Sequence, residues 1–197
     1  MSENDPFCRL FVAVELSDAV RSALAAVQAE WRRTHADVGW VQAQNMHLSL
    51  QFLGDVASDK VGELSAALDL AADAVAPFSF DVRGAGTFGS PRAPRVVWIG
   101  VPDCPPLLEL QRRVTASLDA AGCPADRREY HPHLTLGRVR SRRGGDALCE
   151  AVKHAADRHF GTVDVRQIAL FRSRLLPQGA EHTALHVAPL GGRQPAA

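Results

Sequence analysis

Lysine is nearly missing from this sequence. Of 22 basic residues only Lys60 and Lys153 are lysines, and 22 acidic residues bring the net charge to zero. Zero net charge argues against bulk, sequence-blind binding to duplex nucleic acid, which leans on an overall basic field. A local basic cleft for a strand end stays open. Arginine suits phosphate forks, although codon bias accounts for its dominance more simply. Cysteine is scarce too: Cys8, Cys104, Cys123 and Cys149 are scattered and form no Cys-x-x-Cys. That spacing suggests neither a zinc knuckle nor a disulfide framework, and reduced thiols in a cytoplasmic protein are the simple reading. The chain opens on Ser2-Glu3-Asn4-Asp5, not on a basic region. Its apolar run at residues 10–14 is too short for a signal sequence or a membrane span.

What is present is a core and a repeat. The 197 residues are 46% hydrophobic, enough for one large domain or two small fused lobes. Asn45-Met46-His47-Leu48-Ser49-Leu50-Gln51-Phe52 alternates as a half-buried strand should, and His131-Pro132-His133-Leu134-Thr135-Leu136-Gly137-Arg138 repeats its core 86 residues later. A side-chain period of two puts His47 with Ser49, and His133 with Thr135, on one face; the leucines take the other.

The segments around the motifs recur in order. Residues 9–16 read as a buried strand, and Ser17-Asp18 caps a helix over 19–33. A short strand at 38–41 precedes the first histidine strand. Ser58-Asp59 caps a helix to about residue 75, and residues 78–87 read as a strand. Residues 89–94 read as a loop rich in Gly and Pro. The order then restarts: a strand at 95–101, a helix opened by Pro105 and Pro106 and closed by Gly122, and the second histidine strand. A basic loop carries Arg138, Arg140, Arg142 and Arg143. It reads equally as a guide for an RNA strand or as a solvated loop. A helix over 146–159, strands at 161–174 and 182–190, and a frayed tail from 191 complete the chain. Arg9-Leu10 returns as Arg95-Val96, Asp81-Val82-Arg83 as Asp164-Val165-Arg166, and Phe88 as Phe171. Matches in one order on equivalent elements indicate internal duplication, with repeats at about 9–90 and 95–190 in a single bilobal domain over 1–197. The expected class is α+β. Two pseudo-symmetric lobes, each a mainly antiparallel sheet with flanking helices, would flank a central cleft.

A lone histidine on a strand is usually structural. The same His-x-hydroxyl face in both halves is not something core packing requires, and it suits phosphodiester chemistry. Imidazole titrates near neutrality, so one ring can act as base while the other acts as acid. Attack and departure lie on opposite sides of phosphorus, which calls for two facing groups; hydroxyls and an arginine would stabilise the equatorial oxygens.

These residues resemble the 2H phosphoesterase superfamily with its paired HxTx motifs, and within it the RNA 2′,3′-cyclic phosphodiesterases, also called 2′-5′ RNA ligases. The flanking Asn45-Met46, Gln51-Phe52-Leu53-Gly54, Arg95-Val96-Val97-Trp98 and Arg138-Val139-Arg140 agree with it, from residue 9 to residue 190. The resemblance implies hydrolysis of an RNA 2′,3′-cyclic phosphate to a 2′-phosphate without metal or other cofactor. It implies His47 as proton donor to O3′ and His133 as proton acceptor from water. Ser49 and Thr135 would bind phosphate oxygens. Arg138 would contact the phosphate or terminal ribose, and Phe52 the terminal nucleoside; a core position is an equal reading for Phe52. Partners would be cyclic-ended RNA, tRNA fragments among them, or a cyclic nucleotide, with no membrane and a monomeric chain. The reverse reaction would join ends through a 2′-5′ bond. Ser49 stands where the family usually has Thr. His182 stands where the family commonly has Tyr, and is expected at the surface rather than beside the cleft.

Two other functions fit parts of the pattern. Glu129, His131 and His133 alternate and with His47 could form the metal site of a phosphohydrolase, although the first motif has Asn45 where the second has His131. A binding module without turnover would not need both histidines and both hydroxyls.

Overall fold

The first apolar run becomes a central strand because both of its faces find cover. In β1 (Phe7–Glu15) Leu10, Val12 and Val14 point into the main core, while Phe11 and Ala13 are buried on the opposite face. This computed structural model describes residues 6–90, 93–124, 129–176 and 179–191. Ser17 caps α1 (Asp18–Arg32), accepting a hydrogen bond from the Val20 amide, and Asp18 and Arg32 complement the helix dipole at its two ends. The helix buries Val20, Leu24, Val27, Gln28 and Trp31, a stripe at helical spacing. After β2 (Val38–Trp40) and β3 (His47–Ala57), a 3₁₀ turn at Ser58–Lys60 leads into α2 (Val61–Asp73).

The expected strand at 78–87 is two strands, β4 (Phe78–Arg83) and β5 (Ala85–Ser90). They break at Gly84, whose φ of +76° and whose closeness to the Ala156 carbonyl exclude a side chain. The expected loop at 89–94 is largely strand as well: β5 runs to Ser90 and β6 (Ala93–Gly100) starts at Ala93. Gly89 and Pro94 face each other beside a register shift, the kind of position where a ladder tolerates proline. Pro91 and Arg92 lie outside the described residues, as does the tail from 192. Then come α3 (Pro105–Ala120), β7 (His133–Val139) and α4 (Gly145–Lys153), which stops short of the expected 159. The expected strand at 161–174 is also two, β8 (His159–Val165) and β9 (Gln167–Leu176), and β10 (Gly179–Pro189) starts earlier than expected.

The strands form two four-stranded antiparallel sheets, β10-β9-β1-β3 and β2-β7-β6-β5, with β4 and β8 paired as a third ribbon. The class is α+β, as the repeat suggested. The sheets do not divide at the repeat boundary, however. β9 from the second half completes the sheet of β1 and β3, and β5 from the first half completes the sheet of β6 and β7. The hinges at Gly84 and Arg166 send each half across to the other, and β4 and β8 pair at the crossing. One cluster of buried side chains draws on both sheets and the helices. Among the described residues no helix is long and apolar enough to cross a membrane.

Candidate active site

Both histidine strands carry the same irregularity. Between β1 and β3, Val12 pairs with Gln51 and Ala13 with Ser49, leaving Leu50 as the extra residue. Between β6 and β7, Val97 pairs with Gly137 and Trp98 with Thr135, leaving Leu136. These are β-bulges at equivalent places, and each resets the alternation. Leu50 and Gln51 both turn inward, as do Leu136 and Gly137. Phe52 and Arg138 are therefore returned to the faces that carry His47 with Ser49 and His133 with Thr135. The second bulge is stitched into the fold. The Leu136 carbonyl accepts from the Val41 amide at 2.9 Å and from Nε2 of buried Gln28 at 2.8 Å, which meets the demand that buried backbone acceptors be paired. Gly137 must be glycine, because a Cβ there would run into Val38 and Trp40.

The two imidazoles are oriented alike. His47 Nδ1 lies 2.8 Å from the Asn45 carbonyl and His133 Nδ1 lies 2.7 Å from the His131 carbonyl. A carbonyl only accepts, so each Nδ1 carries the proton and each Nε2 is left for chemistry. Ser49 Oγ is 3.0 Å from His47 Nε2 and donates to it while the ring is neutral. The Asn45 side chain donates to the Ala180 carbonyl at 2.5 Å, which pins the loop that holds His47.

The strands' histidine ends adjoin. Cα atoms of β3 and β7 come within 8 Å of each other, and the Tyr130 hydroxyl, three residues before His133, donates to the Ser49 carbonyl at 3.0 Å. Tyr130 was not anticipated from sequence. Burial pushes its phenol well above the usual range, so it stays a donor. Ser49, Phe52 and Arg138 are exposed, and Thr135, His47 and His133 are half-buried. Phe52 is thus a surface aromatic and not a core one.

Aromatic rings wall each histidine. His47 stacks on Phe11 at 4.6 Å between centroids, and Phe11 stacks on Phe171 at 5.2 Å. His133 meets Phe88 edge-on at 4.8 Å, and Trp98 stands behind Phe88 at 5.4 Å. The Trp98 indole lies across Gly86, where no Cβ fits. Phe88 and Phe171, a repeat match in the sequence, thus each lie beside the other half's histidine. His182, expected at the surface, is half-buried and stands beside His47. Strand β10 sets it against Ser173 of β9, with its ring 5.5 Å from His47 and 4.9 Å from Phe11. A substitution at the family tyrosine gave the only hint of this; the placement depends on a pairing made by strands in different halves.

Burial lowers the proton affinity of both rings. His47 is pushed down to about 4, by desolvation first and by the nearby His182 second, against the Asn45 hydrogen bond. His133 is lowered by desolvation first, with smaller contributions from Arg138 and His131, against its own carbonyl bond. The rival metal set does not converge. His131 is exposed with its Nε2 3.8 Å from Glu129, and β7 starts only at His133. Among the described residues no three His, Cys, Asp or Glu side chains gather so as to hold a metal ion.

The profile of the 2′-5′ RNA ligase superfamily matches residues 18–176. The chain belongs to the 2′-5′ RNA ligase superfamily. It is 34% identical over 179 residues to a Methanothermobacter thermautotrophicus protein named RNA 2′,3′-cyclic phosphodiesterase, covering 91% of this chain and 97% of the relative. A protein of the same name from Archaeoglobus fulgidus is 33% identical over 179 residues, 91% and 98% of the two chains. Among crystal structures, a Thermus thermophilus protein superposes with a TM-score of 0.77 at 29% identity, over 94% of this chain and all of that one. Escherichia coli LigT complexed with 3′-AMP gives 0.72 at 26%, over 94% and 99%. Within this chain the two histidine faces are alike in backbone hold and bulge, and each takes an aromatic wall from the other half of the chain.

Proposed function

We propose that this chain hydrolyses the 2′,3′-cyclic phosphate at the end of an RNA strand to a 2′-phosphate by two-histidine acid–base catalysis. The observation that carries the proposal is the matched pair of imidazoles on adjoining strands, each held through Nδ1 by the carbonyl two residues earlier. Two rings fixed in one tautomer present two Nε2 atoms, the pair that in-line displacement at one phosphorus requires. Water attacks phosphorus and gives its proton to His133 Nε2. The bond from phosphorus to O3′ breaks, and O3′ takes a proton from His47 Nε2. The phosphate stays on O2′, and exchange with solvent resets both rings. Ser49 turns its proton from His47 to a non-bridging oxygen, and Thr135 binds the other. Arg138 meets the charge developing on phosphate, and Phe52 offers its exposed ring to the terminal nucleoside. The reverse path through the same groups would join RNA ends by a 2′-5′ bond. No membrane enters this scheme, and the substrate is the partner.

One observation favours the opposite assignment of acid and base. His47 is held down to about 4, so it donates a proton only after an anion raises its affinity; the phosphodiester charge supplies that anion. Substituting sulfur for the bridging O3′ removes the need for an acid. His47→Ala regains most of its lost rate on that substrate if His47 is the donor, and His133→Ala does so if the roles are reversed. The direct test of function is product analysis on a cyclic-ended oligonucleotide. Phosphate on O2′ is the expected result. Phosphate on O3′, or no turnover, sinks the proposal.

A further inference from the structure

The face of β1 on which Phe11 stacks against His47 continues toward the N-terminal end of the strand. Phe11, Arg9 and Phe7 follow one another at every second position, on the side opposite core residues Leu10 and Cys8. Across from them on β3 lie Phe52, Asp55 and Ala57 in register. A second register shift, between Leu10 and Phe11, keeps both rows on this face. Phe11 is buried beneath His47, but Phe52 is 53% and Phe7 59% exposed. The Arg9 guanidinium lies over the Phe52 ring, 4.9 Å from its centroid. A strip of aromatic, cation, aromatic thus leaves the proposed catalytic centre along about 14 Å of strand.

The proposed substrate needs an exit of this kind. Its reacting phosphate bridges O2′ and O3′, and the rest of the strand leaves from the 5′ side of the same ribose. With the cyclic phosphate at the histidines and the terminal base at Phe52, the next phosphate lies beyond Phe52, where Arg9 stands. The following base then reaches Phe7. Aromatic faces interleaved with a cation are how proteins hold single strands without reading their sequence. The other sheet offers a different surface. Outward from His133 its face carries Arg138 and then Arg140, whose guanidinium lies over Gly39, and so presents cations rather than an exposed ring.

We infer that Phe52, Arg9 and Phe7 form a track for the nucleotide 5′ to the cyclic end, Arg9 meeting its phosphate and Phe7 its base, so that the site is built for an RNA strand rather than for a free cyclic mononucleotide. Asp55, opposite Arg9, keeps the track from becoming a general polyanion site. This inference rests on the reading of the site as a cyclic phosphodiesterase.

The test compares kcat/KM for 2′,3′-cyclic AMP with that for a cyclic-ended tetranucleotide. The intact chain is expected to prefer the tetranucleotide by roughly 10- to 100-fold, the worth of one stacked base and one neutralised phosphate. Arg9→Ala and Phe7→Ser should each cut that ratio about tenfold, in line with the loss of one such contact. Arg9→Ala should also make binding less dependent on salt. Thermal unfolding of both variants serves as a control for folding. Equal use of both substrates by the intact chain overturns the track. So does an unchanged ratio in both variants, or a ratio that falls with Arg140→Ala instead. If neither substrate is turned over, the catalytic reading fails by itself. Fluorescence anisotropy with a labelled tetranucleotide bearing a 2′-phosphate then decides the track: unchanged affinity in Arg9→Ala and Phe7→Ser rejects it.

Discussion

The half-site around His47 and the half-site around His133 share a skeleton and differ in what hangs on it. Each ring is held by the carbonyl two residues earlier, each strand bulges one residue past the hydroxyl, and each bulge returns a side chain to the histidine face. That returned side chain is Phe52 in one and Arg138 in the other. One ring lies on Phe11 beside His182, and the other meets the edge of Phe88. The shared skeleton sets where groups stand, and the side chains it returns make one face apolar and the other cationic. The asymmetry matters because an ester has two ends. In the proposed reaction one flank takes the terminal nucleoside and the other the charged phosphate.

The largest expected effect treats the two halves as equals. His47→Ala and His133→Ala should each lower turnover by roughly 10²–10⁴, the usual worth of a general acid or base. The double variant should lose far less than the product of the two, because the groups act as one unit. Retention of activity by either single variant, in steady-state assays on a cyclic-ended oligonucleotide, would break the pairing. Next comes the contrast between the faces of one strand. Leu134 is wholly buried and Thr135 is half-buried on the face that carries His133. Leu134→Ala should cost about 2–5 kcal/mol in chemical denaturation, whereas Thr135→Val should leave stability nearly unchanged and lower kcat/KM. Equal losses of stability would mean that the threonine does not face the cleft.

Protonation separates the halves. His47 is held near 4 in the folded chain and titrates near the ordinary 6.5 when unfolded. Above pH 6.5 both states are neutral there and nothing is lost. Between 6.5 and 4 the unfolded chain takes up a proton that the folded chain refuses, so stability falls as pH falls, by at most about 3 kcal/mol. His47→Gln should flatten that part of the stability–pH curve more than His133→Gln does. Identical curves would show that burial acts on both rings alike. The smallest effect lies at the returned side chains. Arg138→Ala should raise KM, most at low salt where screening is least, while Phe52→Ala should raise KM with little dependence on salt. An equal dependence on salt would remove the charge difference between the flanks.

The histidine strands, the hydroxyls and the order of elements were legible because a period of two and a repeat are local signals. Residues 78–87 and 161–174 each read as one strand because apolar runs do not announce a hinge. Gly84 and Arg166 break them only because the segments beyond must pair with strands of the other half. Phe52 was undecided between core and cleft because a bulge changes the side on which every later residue falls. His182 was expected at the surface because its position depends on β10 pairing with β9, and on β9 joining β1.

By itself the sequence determined that two matched strand faces each carry an imidazole and a hydroxyl, since such groups at fixed spacing on an alternating strand need no tertiary information. Only the tertiary structure decided what surrounds them. Strand exchange between halves, two bulges and one crossing ribbon set Phe171 and His182 beside His47 and Phe88 beside His133. Such contacts join residues far apart in the chain, and burial, which depends on them, sets the proton affinity of each ring.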